Sequence, residues 1–179
     1  MEIKTAEKSK KELTFEIGSN SDLVLENTIT GNLVWTIEKF AKNQKGYLTF
    51  PTKFDMIDDL IGLEHRGRII IRVSMNPEEI IKKVEFGTSH LNNRIEAINK
   101  LKDDGFWIVG TAMDGTDYRQ IDYSGKIALV VGNEGNGMSR LVRESCDFVA
   151  SIPMRGEINS LNASVATGIM IYEVVRNRK

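Results

Sequence analysis

Six short runs rich in β-branched or aromatic residues, each set off from the next by a longer segment, most constrain what this chain can fold into. They cover residues 13–18, 47–52, 68–75, 106–112, 126–132 and 148–154. Most are apolar on consecutive residues rather than alternating, which is the pattern of parallel strands covered on both faces by helices. The intervening segments mostly carry helical spacing. Leu91, Ile95, Ile98 and Leu101 share one face, with Thr88 or Ser89 placed to cap and Gly105 to stop the helix. Val34, Ile37 and Ala41 mark an earlier helix, and Met56, Ile57, Leu60 and Ile61 a short one. Asn76 and Pro77 open another, asparagine as cap and proline in the first turn. Residues 114–124 are polar and read as a loop. The alternation predicts an α/β fold: a mostly parallel sheet of about six strands, doubly wound. A curled partial barrel is the alternative, and a closed α/β barrel ordinarily uses about eight strands.

With 179 residues, 41% of them hydrophobic, the chain supports one substantial core, and a single compact domain over 1–179 is expected. Its 24 basic and 25 acidic residues nearly cancel, so any nucleic-acid site would have to be local. One cysteine, Cys146, rules out an internal disulfide and a three-cysteine iron–sulfur ligand set, and fits a reducing, cytoplasmic setting. No apolar stretch approaches the roughly 20 residues that a membrane span needs. The amino terminus is charged rather than signal-like, so a soluble, unexported protein is expected, and its lysines read as a solvated end.

Two segments concentrate the chemistry. The run 126–132 enters Gly132-Asn133-Glu134-Gly135-Asn136-Gly137, and a helix with Met138, Leu141 and Val142 on one face follows. Glycines at a strand-to-helix turn let the backbone approach a ligand and leave amide N–H groups to bind it, although such turns are common in α/β proteins. Glu134 is also an anion favoured at a helix start. Further on, Ser151-Ile152-Pro153-Met154 precedes a polar cluster of Asn159, Ser160 and Asn162, then a helix opening on Ala163, Ser164, Ala166 and Gly168. These are either caps and a packing face, or the wall of a site that needs close approach.

Together the two segments resemble the second and third signature motifs of the SpoU/TrmH branch of the SPOUT RNA 2′-O-ribose methyltransferases. The likeness extends back through Gly105-Phe106-Trp107-Ile108-Val109-Gly110-Thr111-Ala112, and so covers 106–179. It implies a flavodoxin-like, SPOUT-like sheet, with S-adenosylmethionine held in a bent shape inside a trefoil knot. Gly132, Ile152 and Leu161 would line the cofactor pocket, with Thr111 and Gly135 nearby. Glu134, Asn159, Ser160 and Asn162 would stand nearest the reacting centre as catalytic candidates. RNA would be the acceptor, and the family's dimerisation through the carboxy-terminal helix implies a homodimer in which Ile171, Val174 and Val175 either form the contact or fill the core. Methyl transfer also needs the ribose hydroxyl in line with the methyl group and a means of removing its proton. The family's first motif, whose arginine would assist, has no counterpart here. Asn93-Arg94 matches it superficially but lies inside the amphipathic helix, not at a strand end.

Residues from about 13 to 105 instead resemble the middle of the radical S-adenosylmethionine barrel of spore photoproduct lyase. The likeness rests on Phe15-Glu16-Ile17-Gly18-Ser19-Asn20-Ser21-Asp22, Phe50-Pro51-Thr52-Lys53-Phe54, His65 to Asn76, and Phe86-Gly87-Thr88-Ser89 with Arg94-Ile95-Glu96-Ala97. It implies that Lys53 and Ser74 contact the cofactor's amino-acid part, with Ser21 and Asp22 facing the same mouth; solvated strand-end residues are the plainer account of Lys53 and Asp22. The cluster cysteines are absent and Ser19 stands where the lyase has a hydrogen-donating cysteine, so no iron–sulfur cluster and no radical chemistry are expected. The chain thus reads as a chimera exchanged near Leu101-Lys102-Asp103-Asp104-Gly105, where a helix end meets a buried strand. Two accounts of function follow: a SPOUT-like cofactor-binding protein of weak or no activity, and an engineered fold chimera without catalysis.

Overall fold

The computed structural model describes residues 13–18, 21–42, 46–133, 137–154 and 161–178. Six strands form one sheet: β1 (Leu13–Glu16), β2 (Gly46–Thr52), β3 (Ile69–Met75), β4 (Phe106–Asp117), β5 (Lys126–Gly132) and β6 (Phe148–Ser151). Every pairing is parallel, in the order β1-β2-β3-β5-β4-β6. The sheet is open at β1 and β6 among the described residues, an α/β architecture of the expected kind. All six apolar runs became strands.

The helices are α1 (Leu23–Thr30), α2 (Asn32–Lys42), α3 (Glu78–Val84), α4 (Leu91–Asp103), α5 (Arg140–Glu144) and α6 (Ala163–Arg176). One face of the sheet carries Leu48, Phe50, Ile71, Val73 and Val130, covered by Val24 of α1, Ile37 and Phe40 of α2, Ile98 and Leu101 of α4 and Val142 of α5. The other face carries Ile70, Val109, Ile127 and Leu129, covered by Met170 and Val174 of α6 with Ile121 and Tyr123. Consecutive apolar residues in β5 are thereby buried on both sides, as expected for a central parallel strand.

That second face is covered only in part. β3 alternates Ile69, Ile71 and Val73 toward the first face with Ile70, Arg72 and Ser74 toward the second. Ile70 meets the α6 cluster, whereas Arg72 and Ser74, both part-buried, line a cleft between the sheet and α6. The sequence changes from apolar to polar along β3 where that cleft begins.

Four expectations need correction. The stretch 56–61 forms only the 3₁₀ turn Asp58–Leu60, because its acidic groups are tied elsewhere: Asp58 to Lys100 at 2.6 Å and Asp59 to Asn27 at 3.0 Å. Its apolar residues Ile57 and Leu60 sit three apart and still reach the core. The polar stretch 114–124 is not all loop. β4 continues to Asp117 by bulging, so that Thr111 and Thr116 both face Ala150 of β6. Gly115 makes the bulge possible, since a Cβ there would stand 2.3 Å from the Val149 carbonyl oxygen. Asn76 does not cap α3, where Pro77 takes that position without a side-chain bond. Neither Thr88 nor Ser89 caps α4, which starts after His90, with its Leu91 N–H donating to Glu78 at 2.9 Å. A carboxylate from the preceding helix serves that end, as anions do at helix N-termini.

Candidate functional site

Crevices at the carboxyl edge of an open parallel sheet form where the strand order reverses. Here β4, next in the chain after β3, is carried past β5 to its far side, so that β3 and β5 are neighbours. A cleft of about 580 Å³ opens there, with Lys53, Arg72, Ser74, Asn76 and Glu85 on its strand side and Ser164 and Gly168 of α6 opposite. Its size falls within the range typical of small-molecule sites.

The strand side is a charged network. Glu85, its side chain 2% exposed, pairs with Lys53 at 2.8 Å and with Arg94 at 2.7 Å. Asn76 Nδ2 also donates to Glu85 at 2.8 Å. Burial alone would push the Glu85 carboxyl up, but Lys53, Arg94 and Asn76 outweigh it and hold the group below the usual carboxylate range. Arg94, with no exposed side-chain surface, donates to the carbonyls of Ser89 and Ser74 at 2.9 and 2.7 Å and to Thr88 Oγ1 at 2.8 Å. Every arm of its guanidinium is engaged, which suits it to bracing and not to proton transfer. Arg72 reaches across to Glu16 at 2.7 Å.

The residues expected from the barrel likeness are thus partly brought together. Lys53 and Ser74 line the cleft, and Lys53, with its side chain 47% exposed at the strand end as expected, also pairs with the buried Glu85 carboxylate. Asp22 instead caps α1 through the Val24 N–H at 3.1 Å and accepts from Thr52 Oγ1 and the Lys53 N–H at 3.0 and 2.7 Å, fixing where Lys53 leaves the sheet. Ser19 lies outside the described residues.

The second cluster sits at the carboxyl ends of β5 and β6 and at the bulge of β4, which lies between them. Gly132 ends β5, Thr111 of β4 pairs with Ala150 near the end of β6, and Ile152 follows β6, so three of the expected pocket residues lie toward one edge of the sheet. Leu161 stands just before α6 and is half-buried. After Gly132 the chain returns on itself: Asn133 and Gly137 exchange two backbone hydrogen bonds, at 3.0 and 2.8 Å. A Cβ at Gly132 would meet the Gly137 carbonyl at 2.8 Å and Met138 Cγ at 2.9 Å, so this turn demands glycine. Asn162 caps α6, its Oδ1 accepting from the N–H groups of Ser164 and Val165 at 2.9 and 3.4 Å. Glu134, Gly135, Asn159 and Ser160 lie outside the described residues. Ile171, Val174 and Val175 of α6 pack into the second-face core of this same chain.

Beside the turn, the Cys146 thiol is pushed up to about 11, mainly by burial and then by Asp147, and so stays protonated near neutrality. Among the described residues no group of three His, Cys, Asp or Glu could hold a metal ion, and no helix is long and apolar enough to cross a membrane. Glu16, Arg72, Asn76 and Glu85 were not legible as site residues, because no motif marks them.

Two family models match the chain. The SpoU rRNA Methylase family model matches residues 59–172, and the Spore photoproduct lyase model matches residues 2–114, so the two overlap over 59–114. A Staphylococcus saprophyticus protein named as a TrmH family tRNA/rRNA methyltransferase is 55% identical over 89 residues, 49% of this chain and 36% of its own length. A Staphylococcus aureus protein of the same name is 53% identical over 89 residues, with the same shares of 49% and 36%. Among solved structures, a spore photoproduct lyase variant has a TM-score of 0.53 at 30% identity, covering 59% of this chain and 32% of its own. A second variant, with bound AdoMet and dinucleoside spore photoproduct, has a TM-score of 0.55 at 29% identity, covering 61% and 32%. The chain spans about a third of the length of each relative.

Proposed function

The chain belongs to the SpoU rRNA methylase family over residues 59–172 and to the spore photoproduct lyase family over 2–114. From that premise we propose an S-adenosylmethionine-binding protein descended from an RNA ribose methyltransferase, with weak or no turnover. The observation that carries binding is the turn at Gly132, whose backbone admits no side chain and which closes the strand paired with β3 and β4. Thr111, Gly132, Gly135, Ile152 and Leu161 would hold the cofactor there, largely through backbone groups. When bound, the sulfonium supplies an electrophilic methyl group.

Weak turnover is supported by Arg94. With Asn93 it makes the superficial match to the missing first motif, and it is buried against Glu85. It cannot assist in deprotonating a hydroxyl without leaving that carboxylate buried and without its strongest partner. Asn162 is held at the start of α6 by its cap bonds, so it would orient a neighbour rather than move a proton. Glu134, Asn159 and Ser160 complete the set of polar candidates. RNA as acceptor, a homodimer through α6, where Val165 and Tyr172 are exposed, and residence in the cytoplasm belong to the same proposal.

Calorimetric titration with S-adenosylmethionine and S-adenosylhomocysteine, followed by a methyl-transfer assay on bulk ribosomal and transfer RNA, tests it. Micromolar binding with little transfer is the expected result. Folded protein with no detectable binding would overturn the proposal in favour of a fold chimera, engineered or natural, without cofactor function. Rapid turnover would overturn the weak-activity part.

A further inference from the structure

The turn at Gly132 is tied to a part of the molecule that its own sequence motif does not include. β3 and β5 pair through Met75 opposite Gly132, which brings the next residues, Asn76 and Asn133, side by side. Asn133 Nδ2 donates to Asn76 Oδ1 at 3.2 Å. The Asn76 carboxamide has no choice of direction. Its Nδ2 donates to Glu85 at 2.8 Å, and a carboxylate can only accept, so Oδ1 must face Asn133. Glu85 is in turn fixed by Lys53 and by Arg94, whose other hydrogen bonds run to the Ser89 and Ser74 carbonyls and to Thr88 Oγ1.

A rigid relay therefore runs from a buried ion pair through Asn76 to the residue that opens the Gly132–Gly137 turn. We infer that Asn76 is a positioning residue for this turn. It sets the direction of the Asn133 side chain, and with it the base of the backbone loop that the cofactor would contact. The inference rests on the cofactor reading for its consequence, though not for the bond itself. It also assigns a task to the Glu85–Arg94 pair beyond stability, since a carboxylate held charged and immobile makes the polarity of the relay one-way.

The 179-residue chain is compared with Asn76→Ala, Asn133→Ala, the double variant and Asn133→Asp. The Asn133 side-chain amide and the backbone amides of Gly132 and Gly137 are followed by nuclear magnetic resonance, and S-adenosylhomocysteine affinity by calorimetry. Each alanine variant should shift the Gly132 and Gly137 amides and weaken binding about tenfold, the double no more than the worse single. Asn133→Asp keeps the size but sets an acceptor against the fixed Asn76 acceptor, so it should lose as much as Asn133→Ala, which mere space-filling would not predict. Unshifted turn amides in Asn76→Ala, or losses that multiply in the double variant, would overturn the inference. Should Asn76→Ala fail to fold, Asn133→Asp carries the same comparison. If the unaltered chain binds no S-adenosylhomocysteine, the functional proposal fails, and the amide resonances alone decide the positioning role.

Discussion

Arg94 shows how one residue can sit in a helix for reasons that lie outside it. Its guanidinium is buried against Glu85 beneath the cleft, where Lys53 and Asn76 also meet that carboxylate. Removing the arginine alone leaves a buried anion short of its strongest partner. Arg94→Met is therefore expected to destabilise the fold by about 3–5 kcal/mol, read from urea unfolding, while Arg94→Met combined with Glu85→Leu should recover most of that loss. A double variant as unstable as the single would show that packing, not charge, sets the cost. Part of this was legible in the sequence. Arg94 falls three residues after Leu91 and four before Ile98, on the apolar face of α4, and a charge there calls for a buried partner. Which partner was not legible, because Glu85 sits at the end of α3, beyond any periodic pattern, and comes near only when that helix packs.

At the scale of elements, α6 both closes the second-face core and walls the cleft. Gly168 lies in its interior, and a Cβ added there would meet nothing within 4 Å, so alanine would fit without displacement. Gly168→Ala should raise stability by about 0.8–1 kcal/mol through helix propensity, seen as a higher thermal midpoint. An unchanged or lower midpoint would mean that the helix does not keep this course. The strands were legible because burial on one or both faces writes itself into local composition. The departures came where tertiary contacts overrode local pattern. Acidic side chains bound by Lys100 and Asn27 hold 58–59 out of a longer helix, and pairing to β6 extends β4 into polar sequence. The glycine turn at Gly132 was legible as a motif, but its tie to Asn76 was not, since only the register of β3 on β5 creates it.

At the scale of the whole molecule, the two family stretches share one sheet and one set of cores, and His65 sits at their meeting. It is 2% exposed, stacks on Phe106 at 5.3 Å between centroids, and neither ring nitrogen has a protein partner. Burial first, then Lys126, pushes its pKa down to about 4. Near neutrality the ring is uncharged in both folded and unfolded chains and favours neither. As pH falls below the ordinary histidine value of about 6.5, the unfolded chain takes up the proton first, so stability declines down to about pH 4, by about 3 kcal/mol. His65→Leu should flatten that part of the urea-midpoint profile between pH 7 and pH 4.5; an unchanged slope would assign the loss to carboxylates.

The strand order β1-β2-β3-β5-β4-β6 also has a consequence in time. During synthesis β4 emerges before β5, yet the place beside β3 belongs to β5, which must enter between two strands already made. Until it does, β3 and β4 each present a bare edge to the other, and pairing them directly is the nearest available error. The join that unites the two ancestries is therefore also the step that the growing chain must postpone.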